Sequence, residues 1–303
     1  MKTMIKRLCV FLLAALLLLG GVTSCDVGSV NETVRELSGT EPLKMGEIAV
    51  HFLDVGQGDS IFAELPGGKT MLIDAAEPDR GDGIIGYLLG RGCSRIDYLV
   101  ATHPHADHIG SMAYIVRHFE VGEVWMPHAA ANTAVFEDLL AAIREKNLPV
   151  HEGKAGECVF ETADCRAEIL APSVTDEENL NNCSIVLRLD YGEASFLFTG
   201  DAEEQELESI QSDVSADVLK SAHHGSSNGN PRNFLQRVSP SVAVISCGKG
   251  NDYGHPHRST LAYLEALNAH IYRTDLDGTV TVRTDGKQIA VTTKGKSIAE
   301  VKP

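Results

Sequence analysis

The sequence predicts an α/β fold in which two mixed β-sheets pack face to face and helices cover their outer sides. Short apolar segments with the two-residue alternation of strands recur along the chain, and helix-like segments separate them. Gly-containing turns join neighbouring strands near both ends of the chain, which argues against a purely parallel sheet. With 303 residues and 43% hydrophobic content, the chain is long enough to bury a large core.

The first half predicts a run of strands that ends in a histidine-rich segment. Three short strands are expected at 48–54, 60–65 and 70–73, with Gly-rich turns between them. A helix at 84–89 precedes an apolar strand at 96–101. That strand would carry the next residues, His103-Pro104-His105-Ala106-Asp107-His108, to its C-terminal end.

The second half continues the alternation of helices and strands. Apolar periodicity predicts helices at 135–146, 202–210, 233–238 and 259–268. Several short strands are expected up to residue 170, followed by strands at 184–189, 194–199, 217–222, 242–246, 271–274, 279–283 and 287–293. Two of these strands run into polar motifs, Gly200-Asp201 and His223-His224-Gly225-Ser226.

The N-terminal segment predicts export. Residues 1–24 begin with Lys2, Lys6 and Arg7 and continue into the apolar run 8–19, which is shorter than the roughly 20 residues of a membrane-spanning helix. Val22-Thr23-Ser24-Cys25 resembles the lipobox of bacterial lipoproteins, so we expect lipid on Cys25 and a location on the extracellular face of the bacterial membrane; ordinary secretion is the alternative. The polar residues 25–45 are expected to form a flexible tether to a domain at 46–303.

Net charge and cysteine content restrict the classes of function. A formal net charge of −16 argues against a sequence-reading DNA-binding protein but allows an enzyme with a metal-loaded or locally basic cleft. The basic residues near the later motifs predict such a rim: Lys220, Arg232, Arg237, Lys249 and Arg258. Five cysteines remain after Cys25, without zinc-ribbon spacing, and we predict no disulfide.

The histidine-rich segment predicts a metal site. His103-x-His105-x-Asp107-His108 places four metal-binding side chains within six residues beyond a strand. Alternate residues of an extended segment point the same way, so His103 and His105 can bind one metal ion. Asp107 and His108, which follow the turn, can bind a second ion nearby. The segment therefore predicts two adjacent divalent ions, Zn or Mn, that share a hydroxide capable of attacking an electrophile.

These motifs together resemble the metallo-β-lactamase superfamily. The resemblance covers about 47–291 and includes Leu72-Ile73-Asp74, Thr199-Gly200-Asp201 and the His223-His224 pair. It implies a four-layer αββα sandwich. Three further segments are similar to the extracellular hydrolase domain of the competence protein ComEC, although the membrane-spanning DNA channel of that family is missing: Asp54-Val55-Gly56-Gln57-Gly58-Asp59-Ser60, Asn181-Asn182-Cys183-Ser184 and Tyr253-Gly254-His255-Pro256-His257.

The resemblance implies a role for each matching residue. His103 and His105 would bind the first metal, Asp107 and His108 the second, and Asp201 both. The final ligand would be one of His223 and His224; the Gly225 that follows favours His224, and His223 would then face substrate or stand behind the ligands. Asp74 would fix the orientation of the ligating histidines from behind, and Asp59 would line the cleft.

One departure from the superfamily concerns the first metal. A histidine usually lies between the first cluster and the bridging aspartate, but residues 152–222 contain none, and the matching segment is Asn181-Asn182-Cys183-Ser184. We expect a weaker or harder first site, completed by water or a substrate oxygen, with Asn182 near substrate. A thiolate ligand at Cys183 is the alternative.

A second histidine-rich loop predicts contacts with substrate. His255 and His257, together with Ser226, are placed to hydrogen-bond a phosphoryl group or to protonate a leaving oxygen; a rigid surface turn is the alternative. The expected catalytic side chains are therefore Asp107, Asp201, His223, His255 and His257.

The sequence favours a membrane-tethered phosphodiesterase or DNase that uses a metal-bound hydroxide. DNA is the leading substrate by analogy, and no protein partner is indicated. One alternative is a metal-dependent hydrolase of another ester or amide, such as a phosphocholine ester, a lactone or a β-lactam. Another is a tethered binding protein without activity.

Overall fold

The computed structural model describes residues 42–173, 176, 178–293 and 296–301. The predicted signal peptide 1–24, the lipidation residue Cys25 and most of the predicted tether 25–45 lie outside the described residues. None of the helices in the described ranges combines the length and apolarity needed to cross a membrane.

The described chain forms sixteen strands and eight α-helices. The strands are β1 Ile48–Phe52, β2 Ile61–Glu64, β3 Thr70–Ile73, β4 Arg95–Val100, β5 Glu120–Met126, β6 Val150–Glu152, β7 Cys158–Glu161, β8 Cys165–Ala171, β9 Val186–Tyr191, β10 Ala194–Phe198, β11 Val218–Lys220, β12 Val242–Ile245, β13 His270–Arg273, β14 Val280–Thr284, β15 Ile289–Thr293 and β16 Lys296–Val301. The helices are α1 Gly81–Gly90, α2 Ala106–Ile109, α3 Met112–His118, α4 Ala134–Glu145, α5 Glu204–Ser209, α6 Arg232–Val238, α7 Arg258–Ala266 and α8 Thr274–Asp277.

Two mixed sheets are formed from these strands. The first sheet has the order β16-β15-β14-β1-β2-β3-β4-β5-β6, with antiparallel pairs up to β3 and parallel pairs from β3 to β6. The second sheet has the order β13-β12-β11-β10-β9-β8-β7, in which β10 to β13 are parallel. The predicted mixture of hairpins and parallel strands is therefore confirmed.

Strand alternation divides the apolar residues between three cores. Ile61 and Ala63 of β2 face the core between the two sheets, whereas Phe62 faces the core under α1, α3 and α4. In the second sheet Phe196 faces the inner core and Leu197 faces the core under α5, α6 and α7. Two sheets inside and helices on both outer sides make the predicted four-layer αββα sandwich.

The sequence missed the elements that follow the histidine-rich segment. Helices α2 and α3 and strand β5 were not predicted, because Gly110-Ser111 interrupts the helical period and Gly122 interrupts the strand pattern. Helix α5 is shorter than the predicted 202–210, since Glu203 has an extended backbone with φ −101° and ψ 177°.

The sheet order brings the polar motifs together. Strands β3 and β4 of the first sheet end just before Asp74 and His103, and strands β10, β11 and β12 of the second end just before Asp201, His223 and Ser246. Parallel strands expose their carboxyl ends at one edge of a sheet, where functional residues of α/β proteins gather. The backbone N–H of Ile185 donates to the Thr102 carbonyl (2.9 Å) and joins the two sheets at this edge.

We expect Phe196→Ala to lower the free energy of unfolding by about 3–5 kcal/mol, because the fully buried ring would leave a cavity between the sheets. Urea denaturation of the full chain in detergent measures this. Leu89→Ala is the control, since its side chain is 53% exposed and the expected change is within about 0.5 kcal/mol. Equal effects of the two substitutions would contradict the assignment of Phe196 to the inner core.

Candidate metal centre

Four side chains from three separate segments converge at the shared edge of the two sheets. One ligand atom of each of Asp107, His108, Asp201 and His224 lies within 4.8 Å of the others. His224 Nε2 is 3.2 Å from Asp107 Oδ2 and 3.3 Å from Asp201 Oδ2, and His108 Nε2 is 3.2 Å from Asp201 Oδ1. These are the residues that the resemblance assigned to the second metal and to the bridge.

The remaining two histidines of the first cluster stand beside this group. His103 is fully buried and its ring centroid is 4.2 Å from that of His108. His103 Nε2 lies 3.0 Å from Nδ1 of His105, which immediately precedes helix α2. The two rings are thus adjacent, as a shared first metal requires, and their role as its ligands stays a prediction.

The buried polar atoms of the cluster fit a divalent cation better than they fit one another. His108 Nε2 and Asp201 Oδ1 are both buried and make no hydrogen bond within the described structure, although they are 3.2 Å apart. Buried polar atoms without hydrogen bonds are costly, and imidazole nitrogen and carboxylate oxygen are common donors to Zn and Mn. These residues therefore fit the metals that the family implies.

The electrostatics of the cluster also favour bound cations. Although burial opposes the change, His108 and His224 hold the pKa of Asp201 well below its usual range, and the carboxylates of Asp201 and Asp107 raise the pKa of His108. Burial lowers the pKa of His103 well below that of free histidine. The centre thus contains an ionised carboxylate, that of Asp201, and a neutral imidazole, that of His103. Without metal, the protonated His108 balances the negative charge of the carboxylates.

The backbone at the centre adopts conformations that non-glycine residues rarely adopt. His223 has φ 48°, His224 has φ 52° and Asp74 has φ 58°. Such positions cost of order 1–3 kcal/mol each and persist only where surrounding contacts enforce them. His224 Nδ1 contacts the Ser246 carbonyl (3.0 Å), which turns Nε2 toward the cluster. The structure therefore brings His224, not His223, into the group of four.

Two glycines let the motif backbones approach each other closely. A Cβ on Gly58 would lie 2.2 Å from the Asp107 carbonyl oxygen, which also accepts a hydrogen bond from Asp59 N–H. A Cβ on Gly200, at φ 48°, would lie 3.0 Å from Thr102 Cβ. These close approaches explain why glycine precedes Asp59 and Asp201.

Asp74 occupies the position behind the cluster that the resemblance gave it. Its Oδ2 lies 2.7 Å from His108 Nδ1, and its carboxylate also accepts hydrogen bonds from the N–H (2.8 Å) and hydroxyl (2.7 Å) of Thr102. A carboxylate on the far nitrogen of a ligating histidine fixes the tautomer and the ring orientation.

Asp59 lies deeper than the cleft wall where it was expected. It is fully buried and forms an ion pair with the fully buried Lys220. Lys220 Nζ also donates to the Gly200 carbonyl (3.1 Å) and lies 3.9 Å from Asp201 Oδ1. Although burial opposes its charge, Asp59 and Asp201 raise the pKa of Lys220 above its usual value.

The predicted basic rim is wrong for Lys220, which lies beneath the cluster rather than on its rim. A lysine within a strand pattern is ordinarily solvent-exposed, and no local feature of the sequence indicates that an aspartate pairs with it. The other four residues of the predicted rim are exposed: Arg232, Arg237, Lys249 and Arg258. The Arg237 guanidinium donates to the Ile210 carbonyl at the end of α5.

The segment that replaces the expected histidine is bound to an acid that sequence reasoning missed. Glu203 accepts hydrogen bonds from the side chains of Asn179 (2.9 Å) and Asn181 (3.2 Å), and its Oε1 lies 3.3 Å from His223 Nδ1. The other ring nitrogen of His223, Nε2, is 3.6 Å from Asp201 Oδ2. Glu203 thus lies between the asparagine segment and His223, but in the sequence it is one of several acids before a helix.

Neither Asn182 nor Cys183 joins the cluster. The Asn182 side chain accepts from Glu203 N–H (3.2 Å) and donates to Asp176 (3.1 Å), so both of its polar groups serve the loop rather than substrate. Cys183 Sγ contacts the backbone of Asp176 and is not among the four converging groups. Within the described residues this geometry contradicts a thiolate ligand at Cys183.

The second histidine loop borders the cluster on its open side. The His255 ring centroid is 5.6 Å from that of His223 and 6.4 Å from that of His224. Burial, followed by the charges of His224 and His223, lowers the pKa of His255 to about 4, so its ring is neutral at pH 7. His257 Nδ1 accepts from Ser227 N–H (2.9 Å), and the buried Ser226 hydroxyl accepts from Asn228 N–H (3.3 Å). Both residues therefore support the loop, and His255 lies nearer the cluster.

We expect Asp74→Asn to weaken metal binding by about 10–100-fold, because the amide no longer holds His108 in its present tautomer. Competition with a chelator measures the affinity. Asp217→Asn is a matched control, since Asp217 also accepts from a backbone N–H and a hydroxyl, those of Ser195 (2.8 Å each), at the opposite end of β11. Equal loss of affinity in both variants would refute a specific role for Asp74.

Comparison with known proteins agrees with the fold. The sequence model of the metallo-β-lactamase superfamily matches residues 53–249. ComE operon protein 3 of Bacillus subtilis is 34% identical over 84% of this chain and 35% of its own length. Competence protein ComA of Neisseria gonorrhoeae is 28% identical over 78% of this chain and 32% of its own length. The chain spans about a third of the length of these curated relatives.

A solved structure shows the same fold at low identity. CmlA, a diiron β-hydroxylase from Streptomyces venezuelae, superposes with a TM-score of 0.51 and 17% identity over 88% of this chain and 61% of its own. Such a likeness concerns the fold alone. The superfamily match covers more than half of the chain and includes the segments that supply all four converging side chains. This chain therefore belongs to the metallo-β-lactamase superfamily.

Proposed function

We propose that this protein is a metal-dependent phosphodiesterase that acts on DNA. The observation that carries the proposal is the buried convergence of Asp107, His108, Asp201 and His224 beneath a rim of histidines. His103 and His105 would complete the ligand set. Divalent ions held there would acidify a water molecule and stabilise negative charge on a phosphoryl group.

The rim residues supply hydrogen bonds to the reacting groups. His255 is neutral at pH 7, so it is suited to donate a hydrogen bond to a phosphoryl oxygen rather than to release a proton. His223 has Glu203 on one ring nitrogen and faces Asp201 with the other, the arrangement of a histidine that transfers a proton to a leaving oxygen. These roles divide charge stabilisation and proton transfer between two side chains.

The name of one relative supports DNA as the substrate. Competence protein ComA matches this chain over about a third of its own length. Competence is the uptake of external DNA, and the export pattern of residues 1–24 supports a location outside the cell, where such DNA arrives. We propose that lipid on Cys25 tethers the enzyme to the extracellular face of the membrane through residues 25–45.

The test is turnover by the full chain in detergent, with Mn or Zn added, on bis-p-nitrophenyl phosphate, plasmid DNA and nitrocefin. We expect metal-dependent cleavage of both phosphodiesters and no hydrolysis of nitrocefin. Asp201→Asn should lower this activity by several orders of magnitude, since it removes the charge shared by the two predicted sites. Hydrolysis of nitrocefin, a β-lactam, without cleavage of either phosphodiester would overturn the proposal.

We expect His255→Ala to lower kcat for bis-p-nitrophenyl phosphate by about 10²-fold while leaving the bound metal unchanged, because His255 would contact substrate rather than metal. Metal content is measured by inductively coupled plasma spectrometry. His270→Ala, on an exposed histidine at the start of β13, is the control. Loss of metal in His255→Ala would show that His255 is a ligand and would refute its assigned role.

A further inference from the structure

An exposed aromatic ring stands beside the candidate metal centre. The Tyr253 side chain is 68% exposed and stacks on His255, with ring centroids 5.6 Å apart and an angle of 22° between the ring planes. Two other exposed large apolar side chains, Leu89 and Leu276, lie on helices α1 and α8. The exposed Tyr253 ring is therefore available to contact a substrate bound at the metal centre.

The loop that carries Tyr253 is held in place from within. The Asn251 amide donates to the carbonyls of Gly248 (2.9 Å) and His255 (2.7 Å), and its Oδ1 accepts from His255 N–H (2.9 Å). Gly248 N–H donates to the side chain of Gln57 (3.0 Å), which fastens the loop to the segment beside Asp59. The exposed ring is thus presented by an ordered loop.

The rings form a path from the surface to the cluster. Tyr253 stacks on His255, and His255 lies 6.4 Å from His224, whose Nε2 faces Asp107 and Asp201. His255 covers one face of the tyrosine ring, and because the side chain is 68% exposed, we infer that the other face is open to solvent. Two rings, Tyr253 and His255, would therefore separate a group bound on the open face from a phosphate bound at the cluster. A nucleoside next to that phosphate would occupy this position.

We propose that Tyr253 is a stacking platform for the nucleobase next to the cleaved phosphodiester, so that the enzyme prefers nucleic acid with unstacked bases. The inference rests on the proposed phosphodiesterase activity. A single open ring face suits a planar base, whereas a quaternary ammonium group such as choline is bound by several rings around it.

Stacking also suits the charge of this protein. With a net charge of −16, the chain gains little from long-range attraction of phosphates. Base–aromatic stacking needs no positive charge and tolerates every base, because each base has a flat π-face. A duplex keeps its bases stacked inside, so the platform makes single strands and frayed ends better substrates than an intact duplex such as plasmid DNA.

The test compares an oligothymidylate with an abasic deoxyribose-phosphate oligomer of equal length, using the full chain in detergent with Mn. We expect the wild-type KM for the abasic oligomer to be roughly 10-fold higher than that for the oligothymidylate. Tyr253→Ala should raise KM for the oligothymidylate by a similar factor and remove the difference between the two substrates. Tyr253→Phe should retain the difference, since the ring is preserved.

Tyr114→Ala is the matched control, because Tyr114 is also an exposed tyrosine beside a histidine, His118, at a ring tilt of 58°, and its hydroxyl donates to Asp82 (2.9 Å). It should retain the wild-type difference. Equal KM values of the wild type for the two oligomers, or an unchanged difference in Tyr253→Ala, would overturn the stacking platform while leaving the phosphodiesterase in place. Failure of the wild type to cleave either oligomer would instead refute the proposed function.

Discussion

Burial of three carboxylates at one sheet edge is the constraint on which the rest of the site depends. Asp59, Asp74 and Asp201 are each at most 2% exposed. An ionised carboxylate removed from water without a partner costs several kcal/mol or more, so each needs a compensating charge within contact distance. Lys220 forms an ion pair with Asp59, and His108 forms one with Asp74. Asp201 pairs with both His108 and His224. The positions of those partners follow from this requirement.

The same requirement accounts for the backbone strain. Asp74 and His224 stand at positive φ, and their buried side chains turn inward at the points where strands end. The strands behind them are anchored by apolar cores on both faces, and paired strands of this kind resist local displacement. The stability of the sandwich thus maintains an arrangement of loops that the loop residues alone would not adopt.

The site consists of a buried base, which orients the metal-binding side chains, and a partly exposed rim, which faces solvent. The base, with Lys220, Asp59 and Asp74, is buried and fixes the orientation of the metal-binding side chains. The partly exposed rim, with His223 and His255, faces the solvent from which a substrate arrives. The Asn179–Asn182 loop, which replaces a histidine-bearing loop of the superfamily, reaches the rim through Glu203. Changes in the rim can therefore alter specificity while the buried base preserves the metal-binding geometry.

The sequence by itself determined the features that local pattern encodes. Strand alternation and helical period were sufficient to predict two packed mixed sheets with helices outside, and the spacing of His103 to His108 predicted a metal-binding cluster at a strand end. The four-layer αββα sandwich and the roles of the later aspartate and histidine motifs followed from the resemblance to the superfamily. The burial of Lys220, the contact of Glu203 with His223 and the withdrawal of Asn182 and Cys183 from the cluster were decided by tertiary structure. Each depends on a pairing between segments that the sheet order brings together, and local sequence does not specify the partner of a charge. From local sequence alone, Lys220 is expected at the surface, and only the fold shows that Asp59 lies opposite it.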